Sequence, residues 1–153
     1  MRFLEFLRAL ASELAWNGKE DPTVIPRKDR QWRAPRAKDR LGIEGEKHAA
    51  AELERAGWKI LERNLALPSC EIDIIARDRD TLVFIEVKTR RDEGYADPYE
   101  EVPETRRDRM RRAKNEYLRW QGLGRETPCR FDIAVVVMPE AGKPCLNHVK
   151  NAF

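Results

Sequence analysis

The sequence predicts an α/β domain whose mixed β-sheet is flanked by helices, in the order α-β-β-β-α-β. Three observations carry this. Residues 41–56 place their apolar side chains at helical spacing. Residues 71–88 form two isoleucine- and valine-rich runs joined by a short charged turn. A second helical segment, 104–120, leads into Phe131–Met138 (FDIAVVVM), which is apolar enough to be a buried strand.

In chain order, Phe3, Phe6, Leu7, Leu10 and Leu14 predict a short amphipathic helix over 1–16. Residues 17–40 hold three prolines, many charges and little periodicity, and read as a basic arm. The division is therefore an arm at 1–40 and a compact domain at 41–153. Helix 41–56 is ended by Gly57. A strand from Trp58 to Asn64 follows, and then a loop containing Pro68. Glu71–Arg77 and Thr81–Lys88 make a hairpin around Arg77-Asp78-Arg79-Asp80. Residues 91–103, with Gly94, Pro98 and Pro103, are a polar loop. Helix 104–120 is basic, with Met110, Ala113, Tyr117 and Trp120 on its apolar side.

Composition narrows the function. Of 153 residues 41% are hydrophobic, enough for a core, while 37% are charged, which gives a very ionic surface. No apolar run approaches the roughly 18 residues of a membrane span. Glu5, Arg8 and Glu13 interrupt what would be the apolar stretch of a signal peptide, so a cytoplasmic protein is expected. Three cysteines without CxxC spacing and only two histidines speak against disulfides, structural zinc and a histidine-rich centre. A bound metal would be held by oxygens, which points to magnesium or manganese. Net charge is only +3, but residues 104–125 carry eight Lys/Arg against three Asp/Glu, and 1–40 carry ten against six. A polyanionic partner fits this asymmetry, and a solvated charged face is the alternative.

The chemistry concentrates on the hairpin. Strand alternation puts Glu71 and Asp73 on one face, and Glu86 and Lys88 likewise. A two-residue turn at Asp78-Arg79 would set Glu71 opposite Glu86, with Asp73 diagonal on the same face. Carboxylates amid Ile72, Ile74, Val83 and Ile85 are costly unless paired or bound to metal. Asp73 and Glu86 are therefore candidate metal ligands, and Lys88 a candidate to position water and stabilise transition-state charge. The alternative is an ion pair that serves packing alone. Glu46 falls in the middle of the apolar arc of helix 41–56. It is either a further ligand covering this cluster or a glutamate stabilised by the helix dipole.

Taken together, GIEGEKHAAAELERAGWKILERN, CEIDIIARD, LVFIEVKTR and RFDIAVVV resemble the YraN-like family of small bacterial proteins. That family resembles the PD-(D/E)XK, or restriction-endonuclease-like, superfamily and is similar to archaeal Holliday-junction resolvases. The resemblance covers about residues 41–138. It implies a restriction-endonuclease-like core with Asp73 as the motif's aspartate, Glu86 and Lys88 as its ExK, Glu46 as the helix glutamate and Glu71 as the GEID glutamate. Cys70 replaces the family's glycine before Glu71, Arg106 replaces its lysine, and Ile72 stands where the superfamily's proline would be.

The reading that follows is a magnesium- or manganese-dependent endonuclease for DNA rather than RNA, on branched or single-stranded substrates. Arg90, Arg106, Arg107, Arg109, Arg111, Arg112 and Lys114 are the expected phosphate contacts. Tyr95, Tyr117 and Trp120 are candidates for base stacking, with core packing the commoner fate. Resolving a junction would need two sites, hence a homodimer. The alternative function is a non-catalytic nucleic-acid-binding or scaffolding protein on the nuclease fold.

Overall fold

The computed structural model describes residues 39–91 and 97–153. The helix expected at 1–16, nearly all of the basic arm, and Tyr95 lie outside the described residues. Seven elements follow one another: α1 (Arg40–Arg55), β1 (Lys59–Ala66), β2 (Glu71–Asp78), β3 (Thr81–Arg90), α2 (Glu104–Trp120), β4 (Cys129–Val137) and β5 (Cys145–Val149). The five strands form one sheet in the order β1-β2-β3-β4-β5. Only β3 and β4 run parallel, and α2 is their crossover; the other neighbours are antiparallel. The expected α/β class and mixed sheet are present, with β5 as an additional strand. Its five residues, CLNHV, are mostly exposed or half-buried along an edge, so they show neither an apolar run nor a clear alternation.

The two helices cover opposite faces. Ala49, Ala50 and Leu53 of α1 pack with Trp58, Ile74, Ala76, Val83, Ile85, Val87, Ala134 and Val136. Met110, Ala113, Tyr117 and Leu118 of α2 pack with Leu65, Ile72, Ile75, Leu82, Phe84 and Phe131 on the other. Tyr117 is thus core, edge-on to Phe84 and Trp120, and is not available to a base. The Asp39 side chain caps α1 by accepting from Gly42 N at 2.7 Å. At its other end Gly57 takes φ +86°, Gly57 N–H donates to Glu54 O and Trp58 N–H to Leu53 O. This pair of bonds closes the helix and turns the chain into β1.

Two local features set the site. Gly45 of α1 lies so close to Thr89 of β3 that a Cβ there would collide with the threonine side chain. The β2–β3 turn is Arg79-Asp80, with Arg79 at φ +56°, because the ladder pairs Asp78 with Thr81. A two-residue turn was expected, but one position earlier. The ladder runs from that pair to Ile74↔Ile85 and stops there.

Candidate active site

The shifted turn decides which acids face each other. One step past Ile74↔Ile85, Asp73 comes level with Glu86, where the earlier turn would have put Glu71. The strands part at this point. In place of a ladder bond, Val87 N–H donates to the Asp73 carboxylate at 2.8 Å. Ile72 and Ile74, two residues apart, pack into different cores, so the alternation of β2 changes at Asp73. Both acids are deeply buried, Asp73 at 7% and Glu86 at 4% exposure. Such burial is tolerable only with compensation.

Glu86 is compensated by two cations. Lys88 Nζ lies 3.0 Å from Oε1. Arg106, in the first turn of α2, donates to Oε2 through Nε at 3.1 Å and Nη2 at 2.6 Å. The same Nη2 donates to the Glu71 carbonyl at 2.7 Å. Burial, the largest single influence, pushes the Glu86 pKa up, but Arg106 and then Lys88 outweigh it and hold the carboxyl below its ordinary 4.5. Burial likewise opposes the Arg106 charge, yet Glu86, with smaller help from Cys70 and Asp73, pushes its pKa up. Cys70 takes no left-handed backbone conformation, so the backbone there makes no demand for glycine. Ser69 beside it donates through its N–H to Glu116 at 3.0 Å, fixing this loop to α2. Burial raises the Cys70 thiol pKa, which disfavours a thiolate.

The other expected site residues are Glu71 and Glu46. Glu71 meets Arg106 through its backbone carbonyl. Glu46 is buried at 5%, next to the Gly45–Thr89 contact. Gly45, its neighbour in α1, touches Thr89, the residue after Lys88 on β3. Among the described residues no three His, Cys, Asp or Glu side chains cluster tightly enough to hold a metal ion. Two adjacent carboxylates nevertheless fit magnesium or manganese, which are commonly held by one or two carboxylates together with water and substrate phosphates.

The basic residues divide into groups. Arg90 pairs with Glu101, and Arg106 turns inward to Glu86, so neither presents an outward charge as expected. Arg107 donates to the Val102 and Tyr99 carbonyls, and both Arg107 and Arg111 lie over the Phe153 ring. Arg111 also bridges Glu104 and Asp108 at 2.7 Å each. Arg109 donates to Thr105 O at 3.4 Å, Arg112 is exposed, and Lys114 is half-buried.

One cluster was not anticipated. Asp132 on β4 is wholly buried and accepts from Arg130 Nε at 3.1 Å, His148 Nε2 at 2.8 Å and Asn151 N–H at 2.9 Å. Arg130 also reaches Asp78 at 2.9 Å and lies over Trp58. An acid inside the apolar run FDIAVVVM was the available signal, because it demands a partner.

The sequence from residue 45 to 136 matches the uncharacterised protein family UPF0102. The chain belongs to this family. A UPF0102 protein of Geobacter sulfurreducens is 39% identical over 113 residues, covering 74% of this chain and 88% of the relative. One from Symbiobacterium thermophilum is 42% identical over 115 residues, covering 74% and 96%. One from Nocardia farcinica is 41% identical over 116 residues, covering 76% and 91%. The match to UPF0102 contains Glu46, Asp73, Glu86, Lys88, Arg106 and Asp132, and begins beyond the basic arm. No helix among the described residues is long and apolar enough to cross a membrane.

Proposed function

We propose that this UPF0102 chain is a magnesium- or manganese-dependent nuclease that hydrolyses phosphodiester bonds of branched or single-stranded DNA in the cytoplasm. The observation that carries the reading is the buried Asp73–Glu86 pair at the parting of β2 and β3, with Lys88 beside it. Packing alone gives no reason to gather two acids and a cation on apolar strands and a second cation from α2 against them, since such ion clusters are often no more stabilising than hydrophobic replacements.

Asp73 and Glu86 would hold the metal, with Glu46 and Glu71 as further oxygen donors nearby. When bound, the metal would polarise the phosphate and lower the pKa of water. Lys88, about a third exposed, can orient a water molecule and stabilise negative charge developing on the phosphate. Arg109, Arg112 and Lys114 supply backbone contacts. The exposed pairs of Arg111 are weak enough to be exchanged for phosphate.

The test is cleavage of a panel of branched, single-stranded and duplex DNAs by the purified chain. Cutting with magnesium or manganese, stopped by EDTA and by Asp73→Asn, is the expected result. A specific observation favours a non-catalytic binding protein as the second reading: both Glu86 oxygens are already engaged by cations. DNA binding without cleavage across the panel, unchanged by Lys88→Ala, would select it.

A further inference from the structure

Arg106 is oddly placed for a phosphate contact. Two of its nitrogens are spent on Glu86 Oε2, and one of these also serves the Glu71 carbonyl. It sits in the first turn of α2, where the helix already carries partial positive charge, so a cation there is unfavourable unless an anion compensates. Glu86 provides that anion. Lys88 and Arg106 between them engage both Glu86 oxygens, so a metal ion can reach that carboxylate only if one of them withdraws.

A divalent cation placed beside these two cations would be repelled by both in a poorly screened place. Phosphates of a bound strand would draw the cations away. From this competition we propose that Arg106 is an exchangeable counter-ion. It holds Glu86 while no nucleic acid is bound, and turns to a phosphate of the bound strand as the metal takes its place at Glu86. Arginine suits this exchange, because its planar fork pairs with phosphate as readily as with carboxylate. Metal and DNA then load cooperatively, and each must tighten the other by the same factor. Arg106 is a positioning residue in this scheme, and the scheme rests on the nuclease reading above.

The experiment is a manganese titration of the full chain followed by electron paramagnetic resonance of the free ion. It is run with and without a branched DNA carrying non-hydrolysable phosphorothioate linkages. The wild type is expected to bind manganese weakly alone and roughly tenfold more tightly with DNA. Arg106→Gln is expected to bind manganese about tenfold more tightly than wild type without DNA, and to gain little more when DNA is added. Arg106→Lys keeps a charge but loses the fork, and is expected between the two. It decides the matter should the glutamine variant fail to fold by circular dichroism. Manganese binding that is the same with and without DNA in the wild type, or unchanged by either substitution, overturns the counter-ion role while metal-dependent cleavage still stands. A wild type that binds no manganese under either condition overturns both.

Discussion

Asp132→Asn perturbs the most deeply buried charge among the described residues while keeping its shape. The native carboxylate accepts from Arg130, His148 and the Asn151 N–H. Asparagine can keep the Oδ1 acceptor for the Asn151 N–H and Arg130 Nε, but its amide nitrogen replaces Oδ2 opposite His148 Nε2 and the negative charge that balances Arg130 is lost. Removing one partner of a buried ion pair costs about 3–5 kcal/mol. The lower end applies, because Arg130 retains Asp78 at 2.9 Å and the Trp58 ring at 4.8 Å. A loss of about 3 kcal/mol is therefore expected at neutral pH, against a total of ~5–15 kcal/mol for a domain. Urea unfolding followed by circular dichroism measures it, with an unchanged slope showing that the same surface is exposed. The pH dependence adds a second check. Burial pushes the Asp132 pKa up, but His148, the Asn151 N–H and Arg130 outweigh it and hold it below its ordinary 3.8. A depressed native pKa stabilises fully above the unfolded value and is lost as pH falls through the native one. The wild type's advantage over Asp132→Asn should thus shrink once the pH falls below 3.8. Glu86, also depressed, is common to both proteins and cancels in the difference. A loss under ~1 kcal/mol, within the range of an ordinary neutral hydrogen bond, or an advantage that does not shrink below pH 3.8, refutes the reasoning.

Lys88→Ala should lower single-turnover cleavage by roughly a hundredfold while leaving DNA affinity nearly unchanged, since Lys88 acts on developing charge. Equal rates in the two proteins would remove Lys88 from the chemistry. Gly45→Ala should lower the melting temperature: alanine gains roughly 1 kcal/mol of helix propensity, but the collision with Thr89 costs about 1–3 kcal/mol. Adding Thr89→Ala, which removes the two nearest atoms, should recover part of the loss; a Gly45→Ala protein as stable as wild type would contradict the close approach. Neutralising Arg112 and Lys114 together should weaken DNA binding and flatten its dependence on the logarithm of salt concentration by about 0.9 for each phosphate that is no longer neutralised. An unchanged slope would place the DNA on another surface.

What could be read beforehand followed from local chemistry. Alternation and the charged turn revealed the β2–β3 hairpin, and helical spacing revealed α1 and α2. The turn's position was missed because Arg79 takes a left-handed conformation that sequence reasoning reserves for glycine or asparagine. That single step exchanged Glu71 for Asp73 opposite Glu86. The Arg106–Glu86 pair joins a helix to a strand twenty residues away, and no local spacing encodes it. Strand β5 escaped because an edge of five residues needs little apolar surface. Its consequence is large, since His148 lies on β5 and Asn151 just beyond it, and both hold Asp132.

The parallel pairing of β3 and β4 sets Ile85 beside Asp132 and Glu86 beside Ile133. The two buried acids are therefore near neighbours along the sheet but point to opposite faces, Glu86 toward α2 and Asp132 toward α1. Their surroundings separate their roles. The cations on Asp132 are themselves largely buried, with side-chain exposures of 19% for Arg130 and 15% for His148, and Arg130 is also tied to Asp78 and Trp58. Exchanging those partners would mean dismantling the β4–β5 edge. Glu86 instead meets Lys88, whose side chain is 32% exposed, and Arg106, which is as buried as Arg130 at 19% but sits at the start of a helix flanked by further basic residues. These cations can be given up to a phosphate without unfolding any strand. Exchangeability is what a catalytic site requires and a structural one avoids, so on the proposed nuclease reading the chemistry belongs on the α2 face, while the Asp132 network on the α1 face locks the sheet beneath it.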